Sequence, residues 1–389
     1  MRIAVFGGSF DPVHKEHIGL VQAAIKSLAL DKLFVMPAFQ PPHKKGKVLL
    51  ADKDRLEMCR LAFADNAKVE VSDYEIAKGG TSYTYLTCQH FRAAYPDADI
   101  YWLVGTDMLR DFPTWRNPQE ILQNVHLAVC ARDEKSDWLE REQAAFERRF
   151  CKRFAVIDYN GTDVSSTKIR ILAAAGVAEE RLADYTSKNV AKYIKEKALY
   201  EISGAAGALV LENEKRREHS LRVAELAAAR AVRLHWDENK AIQAALFHDC
   251  AKNLSPDSPL LRGFVVDDSH GQVPQEVLHQ YAGAYVAERV FGVTDKEVLD
   301  AIRYHTRGRP NMGDIEKLIF LADMLETGRS YKGVEELRFL FWKGENLDEC
   351  LEEALYQTLL FLKEKKSEIY PLTQAAYEFM RDGGEGTEV

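Results

Sequence analysis

The residues best suited to chemistry fall into two groups of opposite character. The first is compact: Gly7-Gly8-Ser9-Phe10-Asp11-Pro12-Val13-His14-Lys15-Glu16-His17 follows a short apolar run and precedes a helical pattern. Paired glycines allow a tight turn and close approach of backbone to a ligand. The start of a helix offers unpaired N–H groups and a positive dipole end, which suit phosphate. His14 and His17, three apart at that start, can reach a single anion. Far along the chain, Val164-Ser165-Ser166-Thr167-Lys168-Ile169-Arg170 again places hydroxyls where a helix begins, followed by two cations. An arginine can grip phosphate bidentately, which a lysine cannot. A glycine turn with two surface histidines and a capped surface helix are the plainer alternatives. Neither GxxxxGK[ST] nor GxGxxG occurs.

The second group is dispersed. It comprises His219, the run Phe247-His248-Asp249-Cys250-Ala251-Lys252, His279, His305 and Asp323. Neighbouring His and Asp side chains on a helix diverge by about 100° and can straddle a cation. Asp323 follows the apolar run Leu318-Ile319-Phe320-Leu321, so its carboxylate is costly to bury unless it meets a cation or a donor. Any one of these histidines alone reads as an ordinary core or surface residue. Together the H…HD…D order points to a metal held by imidazole and carboxylate, and spacing does not choose between iron, manganese and zinc. His235 and His270 are read as non-ligands.

Two kinds of scaffold must carry these groups. Up to about residue 200, strand and helix patterns alternate: strands at Ile3–Phe6, Lys32–Met36, Lys68–Val71, Ile100–Val104, Val125–Cys130 and Phe154–Ile157, with helices at Ile18–Leu28, Arg55–Ala64 and Tyr83–Ala94. Such alternation predicts a parallel sheet covered by helices. From Leu209 to about Phe379 the periodicity is helical throughout. The expected fold class is α/β plus all-α, with domains at 1–200 and 208–380 and a boundary within Ile202–Leu211.

Composition narrows the setting. Lys+Arg number 52 against 60 Asp+Glu, a formal charge of -8, which argues against coating nucleic acid. The six cysteines form no CxxC pair and no disulfide framework is expected. No apolar stretch reaches the ~20 residues of a membrane span, and the N-terminus lacks signal-peptide features. A cytoplasmic protein acting on small molecules, of unspecified oligomeric state, is expected.

The first string resembles the signature of nucleotidyltransferases sharing an HxGH motif, and residues 164–170 resemble their ISSTxIR motif. The resemblance covers residues 1–200 and implies a Rossmann-like domain. Glu16 departs from it by standing where glycine is usual, and the motif survives if that side chain faces solvent. Pro41-Pro42-His43-Lys44, Gly80-Thr81-Ser82-Tyr83-Thr84 and Gly105-Thr106-Asp107, with Trp115 following, resemble the nicotinate mononucleotide adenylyltransferase branch rather than the enzymes acting on pantetheine phosphate or choline phosphate. The resemblance implies ATP binding by Gly7, Gly8, Ser9, Phe10, His14, His17, Gly105, Asp107, Ser165, Ser166, Thr167 and Arg170. His14, His17 and Arg170 would be catalytic, with Mg²⁺ escorting pyrophosphate. Nicotinate mononucleotide would meet Lys44, Tyr83, Thr84, Trp115 and Arg132, although Arg132-Asp133-Glu134 replaces the family's usual Arg-Pro-Gly.

The H…HD…D order is the signature of HD-domain phosphohydrolases. With His279, Ile302-Arg303-Tyr304-His305-Thr306 and Ala322-Asp323-Met324-Leu325-Glu326 it resembles the YqeK family, symmetrical diadenosine tetraphosphate hydrolases. The resemblance implies a dinuclear site, with iron favoured. His219, His248, Asp249 and Asp323 would hold one metal, and Asp249, His279 and His305 the other, with Asp249 catalytic. Lys252 and Arg309 are candidate phosphate contacts. A nucleotide-sensing HD module without turnover and a hydrolase of guanosine tetraphosphate remain open alternatives.

Overall fold

Short runs rich in β-branched and apolar residues become strands here, three of them ending at glycine or proline. In the computed structural model, which describes residues 1–42, 48–131, 136–162, 164–266 and 273–383, six of them form one sheet. They are β1 (Arg2–Gly8), β2 (Lys32–Pro37), β3 (Val69–Val71), β4 (Asp99–Gly105), β5 (His126–Ala131) and β6 (Ala155–Asp158). Their order is β3-β2-β1-β4-β5-β6, and every neighbouring pair is parallel. Helices connect successive strands, including Lys15–Ser27 after β1, Asp52–Phe63 after β2, Thr84–Ala94 before β4 and Ser136–Phe150 before β6. Ile3, Val5, Phe34, Ile100, Trp102, Leu127 and Val129 are buried in one apolar core with Phe91 and Phe112 from the covering helices.

This order has a consequence for binding. The chain winds outward from β1 in one direction and then, from β4, in the other. β1 and β4 therefore diverge at their carboxyl ends, and the crevice left there is where open α/β sheets bind ligands. Gly7-Gly8 end β1 and Gly105 ends β4, so both glycine segments singled out from the sequence reach that crevice.

The chain divides into two compact units, Met1–Ile169 with Ala178–Lys197, and Arg170–Val177 with Ala198–Val389. The second differs from the sequence expectation in taking up Arg170–Val177. It holds helices Glu214–Leu234, Glu238–Phe247, Leu278–Arg289, Lys296–Tyr304, Asp314–Leu325, Val334–Lys343, Asp348–Glu364 and Pro371–Arg381, and no strand among the described residues. Small residues let the helices approach: Ala224, Ala227, Ala228, Ala241, Ala244 and Ala245 are all fully buried. All six cysteines are free, five of them buried. No helix among the described residues is long and apolar enough to cross a membrane.

Candidate active sites

At the end of β1 the paired glycines do not make the turn. Gly7 and Gly8 continue the strand, opposite Met36 and Pro37 of β2. Their absent side chains leave room for rings instead. A Cβ at Gly7 would come within 3.1 Å of the Trp102 ring, and one at Gly8 within 3.0 Å of the Phe10 ring. The reversal falls on Phe10, at φ 46°, whose buried ring packs edge-on against His17 with centroids 5.0 Å apart. Arg55, fully buried, supports the loop by donating to the Ser9 carbonyl at 2.7 Å and the Leu50 carbonyl at 3.1 Å, and pairs with Asp52. Sequence reading misses Arg55; an arginine beside Leu56, Met58 and Cys59, on the apolar face of its helix, is the available signal.

His14 caps the Lys15–Ser27 helix, and its ring stacks on that of His17 with centroids 3.6 Å apart. The His14 backbone N–H donates to His17 Nδ1 at 3.2 Å. A backbone N–H can only donate, so Nδ1 carries no proton and the proton of neutral His17 sits on Nε2. That makes His17 Nε2 a donor, as an anion requires.

The second phosphate-type segment is tied to the first. Ser166 Oγ donates to the Pro12 carbonyl at 2.8 Å, while Ser165 Oγ caps its helix by accepting from Lys168 N–H at 3.2 Å. Thr186 Oγ1 donates to the Val13 carbonyl at 2.8 Å, and Lys15 N–H to the Tyr185 carbonyl at 2.9 Å. Thr167 lies in the first turn of the Ser166–Ala174 helix, beside these contacts. Arg170 pairs with Glu238, so its guanidinium is already engaged. Glu16 does not face solvent, the condition under which the motif would survive its departure from glycine. It is 1% exposed and turns into the loop after β6, where Oε2 accepts from Thr162 N–H at 2.7 Å.

At the end of β4, Gly105 caps the Thr106–Asp111 helix, and the Asp107 carboxylate folds back over it, 2.6 Å from where a Cβ would stand. Tyr83 caps the Thr84–Ala94 helix, with its own N–H spent on the Thr81 carbonyl at 2.9 Å. Trp115 is half-buried against Phe112, and its neighbour Arg116 lies over the Tyr83 ring at 4.6 Å, a cation the sequence did not single out. Lys44 and Arg132 lie outside the described residues.

In the helical unit all six ligand candidates converge. His248 and His305 cap the C-termini of their helices, His219 and Asp323 lie within theirs, and His279 begins one. Asp249 stands at the centre. Its Oδ2 lies 3.4 Å from His248 Nε2 and 4.0 Å from His219 Nε2, while its Oδ1 lies 3.4 Å from His279 Nε2 and 3.6 Å from His305 Nε2. Asp323 Oδ1 is 2.9 Å from His219 Nε2. Three ligand triads, His219/His248/Asp249, His248/His305/Asp323 and Asp249/His279/His305, each have donor atoms within 4.8 Å of one another.

Every Nδ1 in this cluster faces an oxygen. His248 Nδ1 meets the Ala245 carbonyl at 2.6 Å, His279 Nδ1 the Glu276 carbonyl at 3.0 Å, His305 Nδ1 the Ile302 carbonyl at 2.7 Å, and His219 Nδ1 the Glu326 carboxylate at 3.1 Å. A carbonyl only accepts, so Nδ1 holds the proton and Nε2 presents its lone pair inward. This is how metal-binding imidazoles are set. His248 Nε2 and Asp249 Oδ1 are buried without a hydrogen-bond partner. Buried imidazole and carboxylate atoms converging from two sides of one aspartate fit a pair of divalent transition-metal ions. Glu326, also buried, further accepts from Arg222 Nε and Gly328 N–H. It lies three residues after Asp323, and that spacing is the signal for a group supporting the site.

The electrostatics divide the imidazoles: burial opposes a charge on His248, but Asp249 beside it raises its pKa to about 9, so in the absence of a cation His248 pairs with Asp249 as imidazolium. Burial opposes ionisation of Asp249 and Asp323, yet the imidazoles beside them hold both well below the usual carboxylate range. Burial, reinforced by His305 and Lys252, pushes His279 down to about 3, keeping it neutral. Lys252 Nζ lies 2.8 Å from His279 Nε2, beside the cluster. Arg309 instead grips both oxygens of Glu316, at 2.8 and 2.7 Å. Two cations that the sequence does not announce reach the ligands: Arg216 Nη1 lies 2.7 Å from Asp249 Oδ2, and Arg329 Nη2 lies 2.5 Å from Asp323 Oδ1.

Comparison with known proteins agrees with both geometries. Residues 5–171 match the cytidylyltransferase-like family and residues 216–328 the HD domain family. A Mycoplasma genitalium protein named "Probable nicotinate-nucleotide adenylyltransferase/Ap4A hydrolase" is 31% identical over 84% of this chain and 88% of its own length. A Mycoplasma pneumoniae protein of the same name is 28% identical over 84% of this chain and 89% of its own. A Clostridium tetani "Probable nicotinate-nucleotide adenylyltransferase" is 35% identical over 51% of this chain and 98% of its own. With likeness to the two-part relatives running through both halves, the chain belongs to the nicotinate-nucleotide adenylyltransferase/Ap4A hydrolase family, an enzyme that carries a nucleotidyltransferase domain ahead of an HD hydrolase domain.

Proposed function

We propose that the first unit transfers AMP from ATP to nicotinate mononucleotide, giving deamido-NAD and pyrophosphate, and that the second cleaves diadenosine tetraphosphate symmetrically into two ADP. The relatives' names supply these substrates, and the geometry supports the chemistry.

In the first reaction a phosphate oxygen of the mononucleotide attacks the α-phosphorus in line and pyrophosphate leaves. No protein nucleophile is required, so positioning and charge stabilisation carry the catalysis. The observation that carries this half is the His14 N–H to His17 Nδ1 hydrogen bond, which leaves Nε2–H as the donor available to an α-phosphate oxygen. His14 supports it by stacking, and the amides of Ser9 and Phe10 face the phosphates. Asp107 receives the ATP ribose, and Ser165, Ser166 and Thr167 present the second helix start to the triphosphate. Arg170 joins only by exchanging Glu238 for phosphate. Trp115 stacks on the nicotinate ring, backbone N–H groups near Tyr83 and Thr84 hold its carboxylate, and Lys44 and Arg132 would meet phosphates. Mg²⁺ held by the nucleotide's own phosphates would supply charge to the departing pyrophosphate.

For the second reaction the carrying observation is that Asp249 turns one oxygen to each imidazole pair. His219, His248, Asp249 and Asp323 would hold one divalent ion, and Asp249, His279 and His305 another, with iron as the proposed metal. Such a pair supplies Lewis-acid charge to a phosphoryl oxygen and to an attacking water. The chain's own part is to keep the Nε2 lone pairs inward and to bind the polyphosphate through Lys252. Water adds to one of the two central phosphorus atoms, the bridging P–O bond breaks, and two ADP leave.

The test is direct. Purified protein is given ATP with nicotinate mononucleotide, then diadenosine tetraphosphate, and products are identified by chromatography and mass. Deamido-NAD and ADP are expected. Acceptance of pantetheine phosphate instead, or nucleotide binding without hydrolysis, would overturn the corresponding half. The compartment proposed is the cytoplasm, where these nucleotides are metabolised.

A further inference from the structure

Glu16 is an anomaly in a pocket meant for anions: a carboxylate in the first turn of the very helix whose start faces phosphate. Charge alone would make it a liability to a triphosphate. Its surroundings show where the charge goes. Glu16 is 1% exposed, and Oε2 accepts from Thr162 N–H at 2.7 Å, Tyr159 Oη at 3.3 Å and Thr162 Oγ1 at 3.4 Å. The N-terminal dipole of its own helix adds stabilisation.

The pocket is cut to this side chain. A Cβ at Gly161 would collide with Glu16 Oε1, and a Cβ at Gly19, one turn further along the same helix, would collide with Tyr159 Oη. Two glycines thus open the space that one carboxylate and one tyrosine fill. Residues 159–162 shortly precede the Ser165–Thr167 segment, whose Ser166 hydroxyl is fixed to the Pro12 carbonyl at 2.8 Å. The second phosphate-type segment is therefore pinned to the first at two places, a neutral bond at Ser166 and a charge-assisted one at Glu16.

We infer that Glu16 is a positioning residue for ATP: it clamps the loop after β6 onto the first helix and so pre-sets the Ser165–Thr167 segment for the triphosphate. It contacts no reacting atom. Its effect is to remove the cost of ordering that loop when nucleotide arrives, an effect that shows in binding more than in turnover. The inference rests on the adenylyl-transfer reading of this unit.

The test compares Glu16→Gly and Glu16→Gln in the full chain, with ATP and nicotinate mononucleotide as substrates. Losing a charge-assisted bond of this kind corresponds to about a tenfold change. For Glu16→Gly the KM for ATP should rise about tenfold with kcat within about twofold, and the Thr162 amide should exchange hydrogen faster. Glu16→Gln keeps an acceptor for Thr162 N–H and should stay within about threefold. Unchanged diadenosine tetraphosphate turnover in the same samples reports that the second unit is folded, and the retained kcat for adenylyl transfer that the first is. Should Glu16→Gly fail to fold, Tyr159→Phe replaces it, with a KM rise of roughly twofold expected. A wild-type KM in Glu16→Gly, or in Tyr159→Phe where that serves, would overturn the inference, as would a kcat loss at constant KM. If the wild-type protein itself makes no deamido-NAD, the reading of the unit fails instead.

Discussion

The histidines of the two sites carry their protons on opposite nitrogens, and the backbone decides which. In the first unit His17 Nδ1 accepts from the His14 N–H, leaving Nε2 as a donor. In the second, the Nδ1 atoms of His248, His279 and His305 each donate to a carbonyl, leaving Nε2 to face the Asp249 carboxylate. Carboxylates divide the same way. Glu16 and Glu75 accept from Thr162 N–H and Thr87 Oγ1 and hold loops in place, whereas Asp249 and Asp323 turn toward imidazoles. One pair of residue types thus builds an anion site where helix starts and N–H groups gather, and a cation site where helix ends and carbonyls gather.

The sharpest way to break this contrast is to remove the shared carboxylate. Asp249→Ala deletes the carboxylate that turns one oxygen to each imidazole pair. Diadenosine tetraphosphate hydrolysis should fall by about 10⁴-fold or more, and bound metal, measured by mass spectrometry, should be lost. A chelator should reproduce that loss in the wild type. Adenylyl transfer should survive the substitution, and should return after the chelator once Mg²⁺ alone is restored. Hydrolysis persisting in a metal-free Asp249→Ala protein would refute the cation reading.

His17→Ala probes the other pole. Removing a single donor aimed at developing phosphate charge typically costs 10²–10³-fold in kcat. Adenylyl transfer should fall by about that factor while hydrolysis and metal content stay put. A mere change in KM would mean that His17 binds the ground state and leaves the transition state alone.

How much of this contrast is legible in the amino-acid order alone? The strands are, because runs such as Ile3–Phe6 and Ile100–Val104 are apolar and stop at glycine. The six metal-ligand candidates are, because their residue types are chemically specific. What escapes is the supporting shell. Gly7-Gly8 reads as a turn because glycine usually makes turns, but here it makes room for Trp102 and Phe10. Glu16 reads as solvent-facing because the donors that let it be buried, Tyr159 and Thr162, are far away in sequence. The Nδ1 partners of His248, His279 and His305, by contrast, are each the carbonyl three residues back, a local pattern that a sequence can reveal once helix ends are known. Arg309 is drawn to Glu316 by a pairing that neither residue announces.

Glu326→Gln tests whether that shell matters. The carboxylate holds the proton side of His219, and weakening such a partner usually costs 10–100-fold in metal affinity. Metal titration under competition with a chelator should show a loss in that range, with hydrolysis largely recovered at saturating metal. Unaltered affinity would reduce Glu326 to an anchor for Arg222 and Gly328.

The smallest effect expected concerns Glu75, whose carboxylate sits under the Gly80–Thr84 segment and accepts from Thr87 Oγ1 at 2.6 Å. Burial raises its pKa above the ordinary glutamate value, more than the Thr87 and Ser82 hydroxyls lower it. The native state therefore binds this proton more tightly than the unfolded chain does. The associated stability is complete below the unfolded pKa, fades as pH rises through the raised native value, and is absent beyond it. Glu75→Gln keeps an oxygen for Thr87 and has no charge to bury. Its melting temperature should equal or fall slightly below the wild type near pH 4.5 and overtake it by pH 8, by roughly 2–4 °C for each kcal/mol removed. A gap that stays constant or narrows with pH would show that the Glu75 charge is welcome at its site. Glu75 would then be working as Asp249 does, and the division of carboxylates between the two units would be less clean than their hydrogen bonds make it.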